Sequence, residues 1–327
     1  MKKDYTFDAE CFALASIAWA GAHQEEYNPA LTQQKLQAGL NASLITQGKL
    51  DNVVWGPAVF RTPKLRNAAD NWDDYMFFVV QNRNDPSDYR VAARSTVSSL
   101  NGYEDVAVLL PVDWREFDAD APEGAKIADG MAQVLGALLT MTSSVEPGLG
   151  TTLVEFLNAN LKDGDTLTFC GHSMGGTFTV PWGACVKTLL KQDIRVQVRS
   201  LAGATAGNAA FAARAEALLG DGLKRITNFR DLVPKLWNTD SVKEIATLYE
   251  PVIILADPIK IIVKLFADVM GVLYGYTHAG QAECFDPGVN PALDKLKDQY
   301  GYQHDTAYMN YYDLEFGEGK DIYYDVS

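Results

Sequence analysis

Histidine and cysteine are both scarce in this chain, four of each in 327 residues. Cys11, Cys170, Cys185 and Cys284 lack metal-ligand spacing and are far too sparse for a disulfide scaffold. Cys170 falls in an apolar run that reads as a buried strand and Cys185 in a helical segment, so both are expected to be small core residues. No apolar run approaches the ~18–20 residues of a membrane-spanning helix. Positive charge is also short: 28 Lys and Arg stand against 42 Asp and Glu, a net charge of −14. That balance disfavours nucleic acid and strongly anionic membranes as partners. It does not exclude a neutral lipid interface, which is entered by apolar contact. Neither an internal repeat nor a low-complexity linker is visible. The hydrophobic fraction, 47%, is ample for a sizeable core.

At the N-terminus Lys2 and Lys3 precede an apolar run, residues 11–22, that ends in Ala20-Gly21-Ala22 and resembles a signal peptide. Asp4, Asp8 and Glu10 cancel its basic start, so a first amphipathic helix over 8–20 is expected. Cytoplasmic location is favoured over secretion. A second helix is expected over 29–47. Residues 75–81 (YMFFVVQ) and 89–93 (YRVAA) are apolar runs joined by a turn-rich hexapeptide and read as a hairpin. Helical periodicity covers 125–142 and 151–161. Beyond them 166–170, 194–200 and 223–228 read as strands, 178–191 and 208–219 as helices. Strands alternating with helices imply a mostly parallel sheet covered on both faces. The loop 113–124 (DWREFDADAPEG) carries five carboxylates but no recognisable ligand spacing, and reads as a solvated acidic loop rather than a calcium site.

The chemistry concentrates in 166–178, TLTFCGHSMGGTF. A strand, then G-x-S-x-G, then a helix is the nucleophile elbow of an α/β-hydrolase. The serine sits on a tight turn that lifts its hydroxyl above the sheet. Flanking glycines lack the Cβ atoms that would clash there, and the helix N-terminus favours developing negative charge. A serine hydroxyl needs a base, and in this fold the order is Ser, acid, His. His23 precedes Ser173 and is set aside. His172 adjoins it and is expected to pack beneath the turn. His278 and His304 remain.

Five stretches resemble the class 3 lipase family, α/β-hydrolases related to the filamentous-fungal triacylglycerol lipases. Gly171-His172-Ser173-Met174-Gly175-Gly176 matches its G-H-S-[LM]-G-G. Residues 200–208 (SLAGATAGN) keep the Gly-Asn end of F-G-x-P-R-V-G-N. Asn228-Phe229-Arg230-Asp231-Leu232-Val233-Pro234 resembles N-x-x-D-x-V-P, whose aspartate is the acid of the triad. His304, four residues before Tyr308, resembles the closing H-x-x-x-Y, and His278-Ala279-Gly280 a structural H-x-G. The resemblance spans roughly 70–310. It implies Ser173 as nucleophile, His304 as base and Asp231 as the acid that orients it, with His278 in reserve; Asp240, Asp257 and Asp305 are less well placed. It also implies an oxyanion hole from the amides of Met174 and Thr96. In Ala93-Arg94-Ser95-Thr96, however, Ala93 and Ser95 replace the aromatic and the glycine of F-R-G-[ST], and the alternative is an ordinary turn with a surface arginine. The family's short lid would fall at 97–106.

More than forty residues separate Val233-Pro234 from His278. Within them 251–276 carries Asp257, Lys260, Lys264 and Asp268 on one narrow stripe and apolar residues over the rest of the helical circumference. Two readings stand: a helix packed into the core, or a cap lining an acyl pocket or meeting a lipid surface, with Leu265, Phe266 and Val269 as substrate-binding candidates. The expected architecture is one α/β-hydrolase domain over 1–327, a central mostly parallel sheet flanked by helices. A helical extension (1–50) and a helical cap insertion (238–275) complete it. The expected activity is hydrolysis of carboxylic esters, foremost triacylglycerols, with no metal or organic cofactor. A phospholipase A1, a short-chain or feruloyl esterase, and a silent lipase-like binding domain are the alternatives.

Overall fold

Residues 76–80 alternate between two cores, and that alternation organises the whole chain. Phe77 and Val79 point into one apolar cluster; Met76, Phe78 and Val80 point into another on the opposite side. A strand buried on both faces lies inside a sheet covered on both faces. The computed structural model describes residues 3–22, 24, 27–61, 74–94, 110–238 and 240–327. The described strands are β1 (Val53–Arg61), β2 (Asp74–Gln81), β3 (Asp88–Ala93), β4 (Pro111–Asp113), β5 (Lys126–Ala128), β6 (Thr166–His172), β7 (Arg195–Leu201), β8 (Leu223–Asn228) and β9 (Gln281–Phe285). The described helices are α1 (Phe7–Ile17), α2 (Pro29–Ala42), α3 (Asp129–Thr140), α4 (Leu153–Asn160), α5 (Met174–Leu189), α6 (Ala209–Leu219), α7 (Asp257–Leu273), α8 (Leu296–Gly301) and α9 (Ala307–Tyr311).

The main sheet has seven strands in the order β1-β2-β3-β6-β7-β8-β9. β1, β2 and β3 pair antiparallel; β3, β6, β7, β8 and β9 run parallel. The expected hairpin is present, with Gln81 opposite Tyr89. Strand β1 has no counterpart in the sequence reading. Gly56 and Pro57 interrupt its alternation, and the register shifts on both sides of Trp55. The apolar cluster that includes Phe77 also draws on α3, α4, α5 and α6; the other draws on α1, α2 and the C-terminal Tyr308.

Helix α1 departs from expectation. It is not amphipathic: Ala9, Glu10, Cys11, Phe12, Ala13, Leu14, Ala15 and Ile17 are all buried. Glu10 is accommodated because Arg90, itself buried, donates to it at 2.9 Å and to Asp88 at 2.8 Å. A buried charge needs such partners. Helix α2 ends at Ala42, five residues before the expected boundary, where Ser43 turns its hydroxyl back onto the Gly39 carbonyl. The four cysteines are free thiols, three of them buried. In the acidic loop Asp118 is buried on Arg214, 2.7 Å away, so part of that loop is packed rather than solvated.

Candidate active site

Parallel strands deliver their carboxyl ends to one edge of the sheet, and the candidate residues converge there. Ser173 follows β6 and is the N-cap of α5, with φ 60 and ψ −127. A non-glycine residue in such a conformation is strained by about 1–3 kcal/mol and persists only where its surroundings hold it. Here the Ser173 N–H donates to the Leu201 carbonyl at 2.9 Å. The glycines allow the close approach. A Cβ on Gly171 would lie 2.4 Å from the Gly175 carbonyl carbon, and one on Gly175 would lie 2.7 Å from the Ala93 oxygen. Met174 is the first residue of α5, so its N–H has no partner within the helix ladder.

The close approach of Gly175 to Ala93 brings the end of β3 against the elbow. Thr96 lies beyond it, outside the described residues, as do the lid segment 97–106 and His23. Arg94 is described and goes against the alternative of a surface arginine: it is buried, and its N–H donates to the Met76 carbonyl.

Asp231 lies in the turn after β8 and is fully buried. Its Oδ1 accepts from the Val233 N–H at 3.0 Å. Its Oδ2 accepts from the Tyr308 hydroxyl at 3.1 Å and lies 2.8 Å from His304 Nδ1. His304 sits in the π-helical turn Tyr302–Thr306 between α8 and α9. Its other nitrogen, Nε2, is 2.8 Å from Ser173 Oγ. With Asp231 accepting, Nδ1 carries the proton and Nε2 is free to accept from the serine; this tautomer is assigned from the bonding pattern. Burial opposes protonation of His304. The Asp231 charge and hydrogen bond, with Asp305, outweigh it, and the imidazole ends above its ordinary value.

His172 packs beneath the turn, as expected, and its partners extend the site. Its Nε2 bonds the His304 carbonyl at 2.9 Å, which makes it the donor. Its ring lies 4.7 Å from the His304 ring, edge-on to Phe12 at 5.4 Å and to Tyr308 at 5.5 Å. Burial and then the neighbouring His304 push it down to about 4, so it is neutral at pH 7. His278 is elsewhere. It bonds the Pro234 carbonyl at 2.8 Å, and desolvation lowers it to about 3. Among the described residues, His172, His304 and Asp305 are the one grouping with metal-ligand atoms near each other. Both nitrogens of His304 are already engaged.

The residues that sequence reading missed are Phe12, Tyr300 and Gln303. Tyr300 stacks on His304 at 5.2 Å, and Asn228 Nδ2 donates to the Gln303 side-chain and backbone oxygens at 2.8 Å. No local pattern marks them, because their partners are distant in sequence. Of the three substrate candidates only Phe266 packs inward, against Trp237 at 6.1 Å; Leu265 and Val269 are 62% and 45% exposed. The core-packed reading of 251–276 fails, because only Ala267 and Met270 of α7 are buried.

The sheet order and the elbow after β6 define an α/β-hydrolase. Residues 91–241 match the family model described as Lipase (class 3). The crystal structure of M37 lipase is similar over 94% of this chain and 93% of its own, with 26% identity and a TM-score of 0.80. Lip2 lipase from Yarrowia lipolytica is similar in fold, at 16% identity and a TM-score of 0.53, over 86% of this chain and 78% of its own. Comparison with curated proteins returns no match. These likenesses support a place in the class 3 lipase family, and the chain is a carboxylic ester hydrolase. His304 lies outside the matched segment, so its place beside Ser173 is information from the fold alone.

Proposed function

We propose that the chain hydrolyses lipid carboxylic esters, foremost acylglycerols, through Ser173, His304 and Asp231. The observation that carries this reading is the continuous chain from Ser173 Oγ through both nitrogens of His304 to Asp231, each link 2.8 Å. In this reading Ser173 Oγ attacks the ester carbonyl carbon while His304 Nε2 takes its proton. Asp231 holds the imidazole and stabilises the imidazolium that forms. The tetrahedral oxyanion accepts from the Met174 N–H, with Thr96 as the second donor. Losing one such donor costs on the order of 10²–10³ in rate. Collapse breaks the ester C–O bond, and His304 returns the proton to the departing alcohol. Water then attacks the acyl-serine with His304 again as base, releasing the acid and restoring Ser173. Neutral His172 suits this sequence, since a charged neighbour would oppose formation of the imidazolium.

Support for a lipid rather than a small ester comes from the family and from the M37 and Yarrowia relatives, both named as lipases. The test is initial rates on p-nitrophenyl esters from acetate to palmitate and on emulsified triolein. Ser173→Ala and His304→Ala should each lose most of the rate, up to the order of 10⁶ when such a unit is broken; His278→Ala should retain it. An optimum confined to acetate would point to a short-chain esterase. Equal rates for wild type and Ser173→Ala would end the hydrolytic reading.

A further inference from the structure

His304 sits where two short helices join through a π-helical turn. The helical path runs unbroken through α8, Tyr302–Thr306 and α9, and the Ala307 N–H reaches back five residues to the Tyr302 carbonyl. Such turns are rare and are frequent at functional sites. Two successive carbonyls of this one accept from side chains outside the helix. The Gln303 carbonyl takes Asn228 Nδ2 at 2.8 Å, and the His304 carbonyl takes His172 Nε2 at 2.9 Å. Asn228 ends β8, which leads to Asp231, and His172 ends β6, which leads to Ser173. The Gln303 side chain adds two more ties. Its Oε1 accepts from Asn228 Nδ2 at 2.8 Å, and its Nε2 donates at 2.8 Å to the carbonyl of Gly288, in the loop after β9. Gln303 and Asn228 are both buried.

We propose that Gln303 is a positioning residue for ester hydrolysis: with Asn228 it fixes the separation of the turn that carries Asp231 from the turn that carries His304. The inference rests on the reading of Ser173, His304 and Asp231 as a triad. Every polar group of Asn228 is engaged in this frame. Its Oδ1 accepts from the Arg230 N–H at 2.8 Å, its carbonyl accepts from the Asp231 N–H at 3.0 Å, and its own N–H donates to the Tyr308 hydroxyl at 2.9 Å. The residue that shapes the turn of the acid therefore also holds the turn of the base, through one side-chain amide. A buried amide is costly unless it is satisfied, and a methionine at 303 would fill similar space with no amide to satisfy. A fully bonded buried network instead specifies a single arrangement. That arrangement matters because both 2.8 Å contacts of His304 are made by one ring, and a misplacement of about 1 Å costs up to about 10²-fold in rate. Gln299, one helical turn earlier, provides the contrast. It is equally buried, but its amide bonds only Asn290, at 3.1 and 3.3 Å, and reaches neither triad turn.

The test compares Gln303→Met and Gln299→Met with wild type in the full chain. One readout is kinetics on p-nitrophenyl butyrate. The other is nitrogen NMR of histidine-labelled protein, with His304→Asn to assign the ring signals. The groups that face His304 are Asp231, His172, Tyr300 and, next to it on the same turn, Asp305. Burial opposes protonation of the ring and Asp231 favours it, so a loosened Asp231 contact lets His304 titrate at lower pH. Gln303→Met should lower kcat by roughly ten- to a hundredfold with KM within about twofold. It should also move the acid limb of kcat/KM and the NMR titration of His304 to lower pH. Gln299→Met should lower Tm but leave kcat and both titrations at their wild-type values. Gln303→Asn, whose amide is too short to span Asn228 and Gly288 together, should fall between, and it carries the test if Gln303→Met does not fold. The proposal is overturned if a folded Gln303 variant keeps the wild-type titration of His304 or, in an active chain, the wild-type kcat. It is also overturned if Gln299→Met loses as much kcat as Gln303→Met. A wild type that hydrolyses no ester, while Gln303→Met still moves the titration of His304, would sink the ester-hydrolase reading and leave the clamp standing.

Discussion

Replacing Phe12 by alanine removes a ring from the far side of the sheet that touches two supports of the site at once. Phe12 is 3% exposed; it stacks on Tyr308 at 6.2 Å and meets His172 edge-on at 5.4 Å. Tyr308 donates to Asp231, and His172 donates to the His304 carbonyl. The deleted ring costs about 3–5 kcal/mol in lost burial and residual cavity. In a chain of this size that lowers Tm by about 4–7 °C. The same cavity lets His172 and Tyr308 relax toward it, and both hold a member of the proposed triad. A displacement of about 1 Å at a reacting group costs up to about 10²-fold in rate. The expected outcome is therefore a kcat on p-nitrophenyl butyrate lower by roughly ten- to a hundredfold, with KM within about twofold. The assay is run some 20 °C below the variant's Tm so that unfolding does not contribute. Phe12→Leu, which leaves a smaller cavity but loses the ring edge, should fall between. A variant whose Tm drops as calculated while kcat stays within about twofold of wild type would refute the reasoning and leave Phe12 a packing residue only.

Other consequences are accessible to the same assays. The rising acid limb of kcat/KM against pH should be centred above 6.5, because His304 is raised and acts only when neutral; a midpoint well below 6.5 would contradict the geometry. His172 works in the opposite direction on stability. Between pH 6.5 and about 4 the unfolded chain takes up its proton while the folded one does not, so stability falls as pH falls through that window, by about 3 kcal/mol. Denaturant titrations of wild type and His172→Asn at pH 7 and pH 4.5 should show the larger loss in wild type. Gly175→Ala should cost about 1–3 kcal/mol and most of the activity, because its Cβ meets the Ala93 oxygen at 2.7 Å; a fully active variant would show that the elbow relaxes freely. Glu10→Ala should destabilise by about 3 kcal/mol, as buried Arg90 keeps Asp88 alone; a melting curve matching wild type would place that pair outside the folding energetics.

The elbow was legible because its chemistry is local. A strand, a strained serine and two glycines without room for a Cβ lie within ten residues, so their spacing alone carries the signal. The hairpin of β2 and β3 was legible for the same reason. Strand β1 was not, because Gly56 and Pro57 break the alternation that marks a strand, and its register is restored only by pairing with β2. Helix α1 read as amphipathic once Asp4, Asp8 and Glu10 had set aside a signal peptide, and an amphipathic helix would leave Asp8 and Glu10 in water. The fold instead neutralises them: Arg199 Nε donates to Asp8 and Arg90 to Glu10, and both arginines come from strands distant in sequence. Helix α7 shows the limit most sharply. Its pattern of one charged stripe and a wide apolar arc was plain, but periodicity does not say which side faces water.

The sequence by itself determined the α/β alternation, the elbow at Ser173 and the short set of candidates, Asp231 and two histidines, because each follows from local periodicity or from a motif a few residues long. Only the tertiary structure set His304 rather than His278 within 2.8 Å of Ser173 Oγ, gathered Tyr308, His172 and Phe12 around it, and turned the apolar arc of α7 outward. Those outcomes depend on contacts between residues distant in sequence, 132 apart for His172 and His304 and farther still for Phe12 and Tyr308. Such contacts exist only once the sheet has closed the distance, and the energy that selects among them is that of burial and pairing in the assembled core.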